Sequence, residues 1–555
     1  FRYINMCLAT EVDMATQQAQ ARELVAGPAA TSLPVILAGD SNTNGSPADG
    51  KLPLTYTELI GGGFQDAWVE TNPNDPGYTW GNQPDLLNPE PMSYYILGLF
   101  GHYRMDLVLC RGGIQAQSMK RVGVLESEKT ASDMWPSDHA GVVATLVLPA
   151  APAVFEVAGT DGADTIVVKP GSSAGAWSIG VNGQWREVAG GSVEIQIDAQ
   201  AGVDTVDITT TAQDSVASLR PGGGQISGPG YSIAVNSGEL ITVHASGAQD
   251  QLSLDDSPGN DTLTSGPGSS TLSGNGFSLS GVGFERVSAY ARNGGRDTAF
   301  LNGGAGTDKI KLQADVSWMY GAGYYSRAKF FDGVYADGRG GGGDAAVFYD
   351  TAGKDVLVAD RAMTTVTTGT LIRRATSFEN VTVYGTSIDT ATLGDSAGDD
   401  IFDGLLNKSR IYSAAYQVVV RGYKNVTATA STGFDKARLY DTPWDDSYEA
   451  RPGISRLTGG GTTGLRLTAQ GFDKVSLVAN QGGTDRADLY GTAYNDRLDA
   501  AANWARLYRN MGTPELLYET LAVERVTAHG STGANTRNIM PPLAFDLVFE
   551  GAWQP

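Results

Sequence analysis

Asp250-Gln-Leu-Ser-Leu-Asp-Asp-Ser-Pro-Gly-Asn-Asp261 is followed 47 residues later by Asp297-Thr-Ala-Phe-Leu-Asn-Gly-Gly-Ala-Gly-Thr-Asp308. The two stretches share an aspartate at each end and apolar residues at the second and fourth positions after the first. One aspartate series runs Asp250, Asp297, Asp344, Asp389, Asp435, Asp485, and a second, always 11 residues later, runs Asp261, Asp308, Asp355, Asp400, Asp446, Asp496. Alternation such as Leu252/Leu254 or Ala437/Leu439 is that of a strand with one buried face. A third mark, aromatic-x-x-Val, recurs at Phe284/Val287, Phe331/Val334, Phe378/Val381, Tyr423/Val426 and Phe472/Val475, with Val523/Val526 as a weaker copy. A period of this length is the signature of a repeat array. Each unit has too small an apolar face to stand alone, so stacking predicts an all-β repeat region, a β-solenoid, over residues 246–535. Period alone leaves small β-sandwiches and a propeller open as alternatives.

Working outward, residues 151–245 share the Gly, Ser, Thr, Asp and Val composition, with Asp164 and Asp204 as worn copies, and read as a β-rich entry segment. Residues 536–555 read as a C-terminal tail. The 555 residues exceed one core, and 41% hydrophobic content suffices to fold several. The 72 glycines favour turn-rich β structure over helix bundles. Two cysteines, Cys7 and Cys110, rule out a disulfide framework or a zinc cluster, and each lies in an apolar run, reading as a core thiol. No run approaches a membrane span, and the start at Phe1, in mid-pattern, reads as that of a fragment or processed product. The net charge is −22, and the first 150 residues carry 8 Lys and Arg against 16 Asp and Glu, a balance of −8. Such a surface repels polyanions at long range and suits an extracellular, cation-rich setting.

The first 150 residues read differently. Asp13 caps a helix expected over Met14–Ala26, ended by Gly27 and Pro28. Strands are expected at Arg2–Leu8, Leu33–Ala38, Met105–Cys110 and Val142–Leu148, giving an α/β layered arrangement, and Pro149–Pro152 reads as a linker. Polar residues emerge at the strand ends. Asp40 and Asn42 follow the second strand, and in extended chain both would point to one side, a carboxylate for water or a hard cation beside an amide for a phosphate oxygen. The plainer reading of that pair is an Asx-turn.

Three motifs in order, Gly39-Asp40-Ser41-Asn42, Arg104-Met105-Asp106 and Ser137-Asp138-His139, with Asp66-Ala67-Trp68 and Gly77-Tyr78-Thr79-Trp80 between, resemble the C-terminal half of the endonuclease/exonuclease/phosphatase family, which includes pancreatic DNase. The resemblance covers residues 1–150 and implies part of a four-layer α/β-sandwich that hydrolyses phosphodiesters or phosphomonoesters with Mg2+ or Mn2+. It implies that Asp138 and Asp40 bind metal and Asp40 orients water. It further implies that Asn42 binds the phosphate, His139 contacts the scissile phosphate and Asp106 holds the His139 ring. Cys7 stands where the family has a His, and the family's earlier Asn- and Glu-bearing strands have no counterpart here.

In the repeats, Asp255–Asp261 and Asp395–Asp400 loosely resemble the calcium motifs of haemolysin-type secreted bacterial proteins, although aspartates also close turns without metal. His102, His244 and His529 carry no partner pattern. The expectation is a divalent-metal phosphoesterase fused to an extracellular or cell-surface, bacterial β repeat array. Its substrates would be nucleic acid, lipid headgroups or small phosphates, and its partners cell-surface or matrix components. The alternative is a non-enzymatic surface or matrix repeat protein with a degenerate phosphoesterase segment.

Overall fold

Apolar runs of the first unit pair into one four-stranded sheet of β1 (Arg2–Cys7), β2 (Val35–Asp40), β3 (Gln65–Asp66) and β4 (Asp106–Arg111), in the order β1-β2-β4-β3. The computed structural model describes residues 1–10, 13–31, 33–46, 50–93, 102–149, 153–188, 192–510 and 514–555. They divide into Phe1–Ala153 and Val154–Pro555. Most of the linker expected at Pro149–Pro152 lies outside the described residues.

Alternation along β4 sends Leu107 and Leu109 to one face of the sheet and Val108 and Cys110 to the other. The first face is covered by helix α1 (Met14–Ala26) and helix α2 (Leu54–Gly61), through Ala21, Leu24, Tyr56 and Leu59. The second carries α3 (Ala67–Thr71) and an antiparallel hairpin of β5 (Gln115–Val122) and β6 (Gly141–Val147), through Trp68, Met119 and Val142. The layers are those of a phosphoesterase-type domain. Helix α1 starts where expected because the Asp13 carboxylate accepts from the Thr16 amide at 3.0 Å. One sequence reading fails: Cys7 is exposed, because alternation along β1 turns Ile4 and Met6 to the core and Cys7 to the opposite face, where Tyr3 and Asn5 are exposed as well. Cys110 is the core thiol, and burial pushes it up to about 11.

The second unit is a β-solenoid of two sheets with 21 strands in each. In the unit starting at Asp250, Gln251–Asp255 lies in the first sheet. Next, Thr262–Gly266, Ser269–Gly274 and Phe277–Val282 form an antiparallel meander in the second, and Arg286–Tyr290 returns to the first. Parallel pairing stacks strands within a unit, as in Gln251↔Arg286, and between consecutive units, as in Thr262↔Thr298. Inward residues from both sheets, among them Leu252, Leu254, Leu263, Leu272, Leu279 and Val287, form one continuous core. Between Asp250 and Asp297 the chain crosses from sheet to sheet three times, at 255–262, 282–286 and 290–298. The odd number places the next unit on the opposite faces. Thus Thr298–Asn302 lies in the second sheet and the meander of Lys309–Lys329 in the first.

The same pairings extend beyond residues 246–535. In the segment read as an entry, Thr205–Thr209 pairs in parallel with Leu240–His244 and Val216–Arg220 with Gln251–Asp255. In the segment read as a tail, Thr536–Leu543 and Asp546–Glu550 each add a strand. Sequence missed this continuity because the aromatic-x-x-Val mark is absent before 250, where Gly238 and Ile241 fill those inward places.

Candidate functional site

Asp40 and Asp106 are register partners across β2 and β4, so the sheet brings carboxylates of the first and second motifs side by side. Cys7 is the register partner of Asp40 on the other side, so the exposed thiol lies at the same strand ends. His139 reaches this edge from the loop before β6 and sets its Nδ1 2.8 Å from Asp106 Oδ2. That bond fixes the ring through Nδ1 and leaves Nε2 for another partner.

Buried polar contacts hold the arrangement. Thr79, fully enclosed, accepts at its Oγ1 from the amides of Met105 and Asp106, both at 3.0 Å. The Ala140 amide donates to the Thr79 carbonyl at 2.7 Å, and Asn82 Nδ2 donates to the Ser137 carbonyl at 2.8 Å. The strand carrying Asp106 and the loop carrying His139 are therefore tied to one segment. The sequence marks around 66 and 104 also meet: Arg104 pairs with Asp66 at 2.6 Å, both buried, and Tyr56 donates to the same carboxylate. Arg104 also donates to the Gly45 carbonyl, so it anchors the loop after Asn42.

Asp40 and Asn42 do not both lie in extended chain. Asn42 has φ +47°, its amide donates to Asp40 Oδ1 at 2.8 Å, and its Nδ2 donates to Asp40 Oδ2 at 3.1 Å and to the Leu8 carbonyl at 2.9 Å. This Asx-turn, with buried Gln17 Nε2 donating to the Asn42 carbonyl at 2.7 Å, points the Asn42 amide back at Asp40. The turn is the one that the plainer reading of the pair expects. Asp138 is exposed, accepts from Ser137 Oγ at 3.1 Å and adds its charge to the field at His139.

The electrostatics follow from these contacts. The bond to Asp106 raises the pKa of His139, with burial opposing and the charges of Asp106, Asp40 and Asp138 assisting. Burial raises Asp40, with the neighbouring Asp106 charge assisting and the Asn42 bonds and His139 opposing. A carboxylate made more basic in this way suits proton transfer from water.

Asp40 and Asp138 are the donors the resemblance assigns to a metal. Three ligating side chains do not converge among the described residues of this unit. A donor set of one or two carboxylates suits magnesium, which keeps waters and takes substrate phosphate oxygens. His102 stacks on Tyr78, with ring centroids 5.0 Å apart, and makes no contact with the dyad. Sequence reasoning overlooked Thr79, Asn82 and Gln17, although Thr79 lies inside the Gly77–Trp80 mark.

Residues 8–139 match the model of the Endonuclease/Exonuclease/phosphatase family. Among similar solved structures is D. rerio TDP2 humanized by 14 mutations, at 20% identity, covering 26% of this chain and 54% of that chain with a TM-score of 0.19. Another is the mannosyl-6-phosphatase of Bacteroides thetaiotaomicron, at 17% identity, covering 26% of this chain and 50% of that chain with a TM-score of 0.16. The match spans about half the length of these proteins. No curated protein matches.

The aspartates of the solenoid have a separate role. From Asp297 on, the first-series carboxylate accepts from the backbone amide of the second-series residue one unit earlier: Asp261 to Asp297 at 2.8 Å, Asp308 to Asp344 at 2.7 Å, Asp446 to Asp485 at 2.7 Å. The second-series carboxylate closes its own turn, as where Asp261 accepts from the Ser257 amide at 2.7 Å. The residue after the third mark's aromatic completes the ladder, Glu285 accepting from the Asp250 amide and Glu379 from that of Asp344. Lys424 stands at that place after Tyr423, and there the Asp389 amide turns to the Thr386 carbonyl instead.

Proposed function

We propose that the first unit hydrolyses phosphoesters with a divalent metal, Mg2+ or Mn2+. The observation that carries the reading is the His139–Asp106 pair beside Asp40, inside the segment that matches the family model. When bound, the metal would be held by Asp40 and Asp138 and would neutralise charge on the phosphoryl oxygens. His139 Nε2 donates to a phosphoryl oxygen, Asp106 holds the imidazole, and Asp40 orients and deprotonates water. Asn42 supports Asp40 through its turn, and the phosphate contact that the resemblance gives it would require its side-chain amide to leave Asp40 or the Leu8 carbonyl. The acidic surface favours small or lipid-borne phosphates over nucleic acid. The negative charge and the repeat array support placement outside the cell or on a bacterial cell surface, where the solenoid would display the unit to surface or matrix components.

A second reading, a non-catalytic repeat protein with a degenerate phosphoesterase segment, is favoured by Cys7 at the Asp40 register and by the small acidic donor set. Hydrolysis of bis(p-nitrophenyl) phosphate and of supercoiled DNA, with and without Mg2+ or Mn2+, separates the two. Metal-requiring turnover that vanishes in His139→Ala supports hydrolysis. Turnover equal in the two proteins, or none in either, selects the second reading.

A further inference from the structure

We propose that the outer face of the first solenoid sheet, over residues 286–329, binds a linear acidic polysaccharide through its uronate carboxylates. This lies beyond the phosphoesterase reading and does not depend on it. The face is built from four adjacent strands, Arg286–Tyr290, Tyr324–Lys329, Val316–Gly321 and Lys309–Leu312, in that spatial order. Val287, Ala289, Ala328, Met319 and Ile310 point into the core, so alternation sends their neighbours outward. Register lines these up in two rows along the stacking direction, Arg286-Tyr325-Tyr320-Lys309 and Ser288-Arg327-Trp318-Lys311, with Tyr290 and Lys329 paired at one edge. With neighbouring strands about 4.8 Å apart, each row spans roughly 14 Å.

All five charged residues of these strands, Arg286, Lys309, Lys311, Arg327 and Lys329, are positive, in a chain of net charge −22. Charge alone makes only a patch, and two further observations point to a ligand. The first is that none of the five makes an ion pair among the described residues. At outward places later in the same sheet, by contrast, Arg410 and Arg438 share Asp403, and Lys474 and Arg506 share Glu519. The chain supplies carboxylates to its cations there and withholds them here.

The second observation is how the cations are held. Arg286 lies over the Tyr325 ring at 4.9 Å, Arg327 over Tyr290 at 5.4 Å and Lys311 over Trp318 at 5.6 Å. Arg327 also donates through Nη2 to the Tyr290 hydroxyl. A ring beneath each cation restricts it in advance, and the remaining N–H groups of the two guanidinium forks match a carboxylate.

Charge complementarity calls for a polyanion, and the covered rings decide its class. Single-stranded nucleic acid needs a run of open ring faces for its bases, whereas Tyr290, Tyr325 and Trp318 each already carry a cation. A uronate chain presents a carboxylate on each sugar and asks for little stacking, which Tyr320, in the middle of its row, offers to the C–H face of a sugar ring. The acidic remainder of the surface keeps such a polymer off the rest of the molecule.

The test is fluorescence anisotropy of a fluorescein-labelled oligogalacturonate titrated with the full chain at low ionic strength in EGTA, beside an oligothymidylate of equal length and label. Lys309→Gln/Lys311→Gln should weaken oligogalacturonate binding by about tenfold or more, as expected for two lost charge-assisted contacts. Arg486→Gln/Arg525→Gln, which removes the same charge from exposed places on the second sheet, should leave it unchanged. Arg327→Lys keeps the charge and loses the fork, so affinity should fall severalfold, and circular dichroism verifies that each variant is folded. No binding of oligogalacturonate by the wild-type chain, an equal loss in Arg486→Gln/Arg525→Gln, an unchanged affinity in Arg327→Lys, or tighter binding of oligothymidylate would each overturn the proposal. So would a wild-type dimer in sedimentation that Lys309→Gln/Lys311→Gln dissolves, since the face would then belong to a second copy.

Discussion

Aspartates at strand ends serve opposite ends in the two units. Asp106 leads β4, remains about one-fifth exposed and accepts from an imidazole, so its bond orients a group that faces outward. Asp344 leads a strand of the solenoid, is fully buried and accepts from the Asp308 amide, so its bond joins one unit to the next. Residue type and position in the strand are the same. What completes the carboxylate's hydrogen bonds decides whether it holds an outward-facing ring or ties one unit to the next.

The largest effect that would break this comparison is at the dyad. His139→Ala is expected to reduce phosphodiester hydrolysis by roughly 10²–10⁴-fold, the usual contribution of a positioned acid or base. Circular dichroism of the whole chain should not change. Loss of strand signal along with activity would mean that His139 is structural, like the solenoid aspartates.

Asp106→Asn should lower kcat less, by about tenfold or more, and move the pH profile. The bond to Asp106 holds the His139 pKa above its ordinary value, so removing the charge lets it fall. The limb of the kcat/KM profile that reports His139 then shifts to lower pH, whichever protonation state is the active one. An unshifted limb would assign that titration to another group.

In the solenoid, Asp344→Ala strands the Asp308 amide in the core and should cost about 1–3 kcal/mol. Asp344→Asn should cost far less, because Asn535 already does this work in the last copy, accepting from the Asp496 amide at 3.0 Å. Urea denaturation checks the pair. Equal losses would show that the negative charge, rather than the acceptor oxygen, holds the ladder.

The smallest effect is in pH. Burial first, then the charges of Asp446, Asp441 and Glu524, pushes Asp485 up to about 7, while Asp297 and Asp435 lie at about 6. These folded values exceed the ordinary aspartate range, so between about pH 4 and pH 7 the folded chain binds more protons than the unfolded one. In EGTA the thermal midpoint should therefore fall as pH rises through this window. A midpoint that rises instead would mean that these carboxylates are ionised at no cost.

Sequence made some of this legible for definite reasons. Helix α1 and its Asp13 cap are local, and the predicted strand cores lie within a residue or two of β1, β2, β4 and β6. The meeting of Asp40, Asp106 and His139 is not local, and motif order alone suggested it. Left-handed Asn42 escaped the extended-chain rule because its side chain bonds backward. The alternation of faces was invisible, since both aspartate series look alike in either sheet. It resides in the number of crossings, which no single residue encodes.

The odd crossing number bears on how such a chain can grow. Duplicating or deleting a single 47-residue unit would turn everything downstream by half a revolution about the stacking direction, whereas a change of two units would restore the original facing. Gain or loss of repeats therefore acts as a parity switch: even events alter only reach, and odd events also reverse which flank a downstream residue presents.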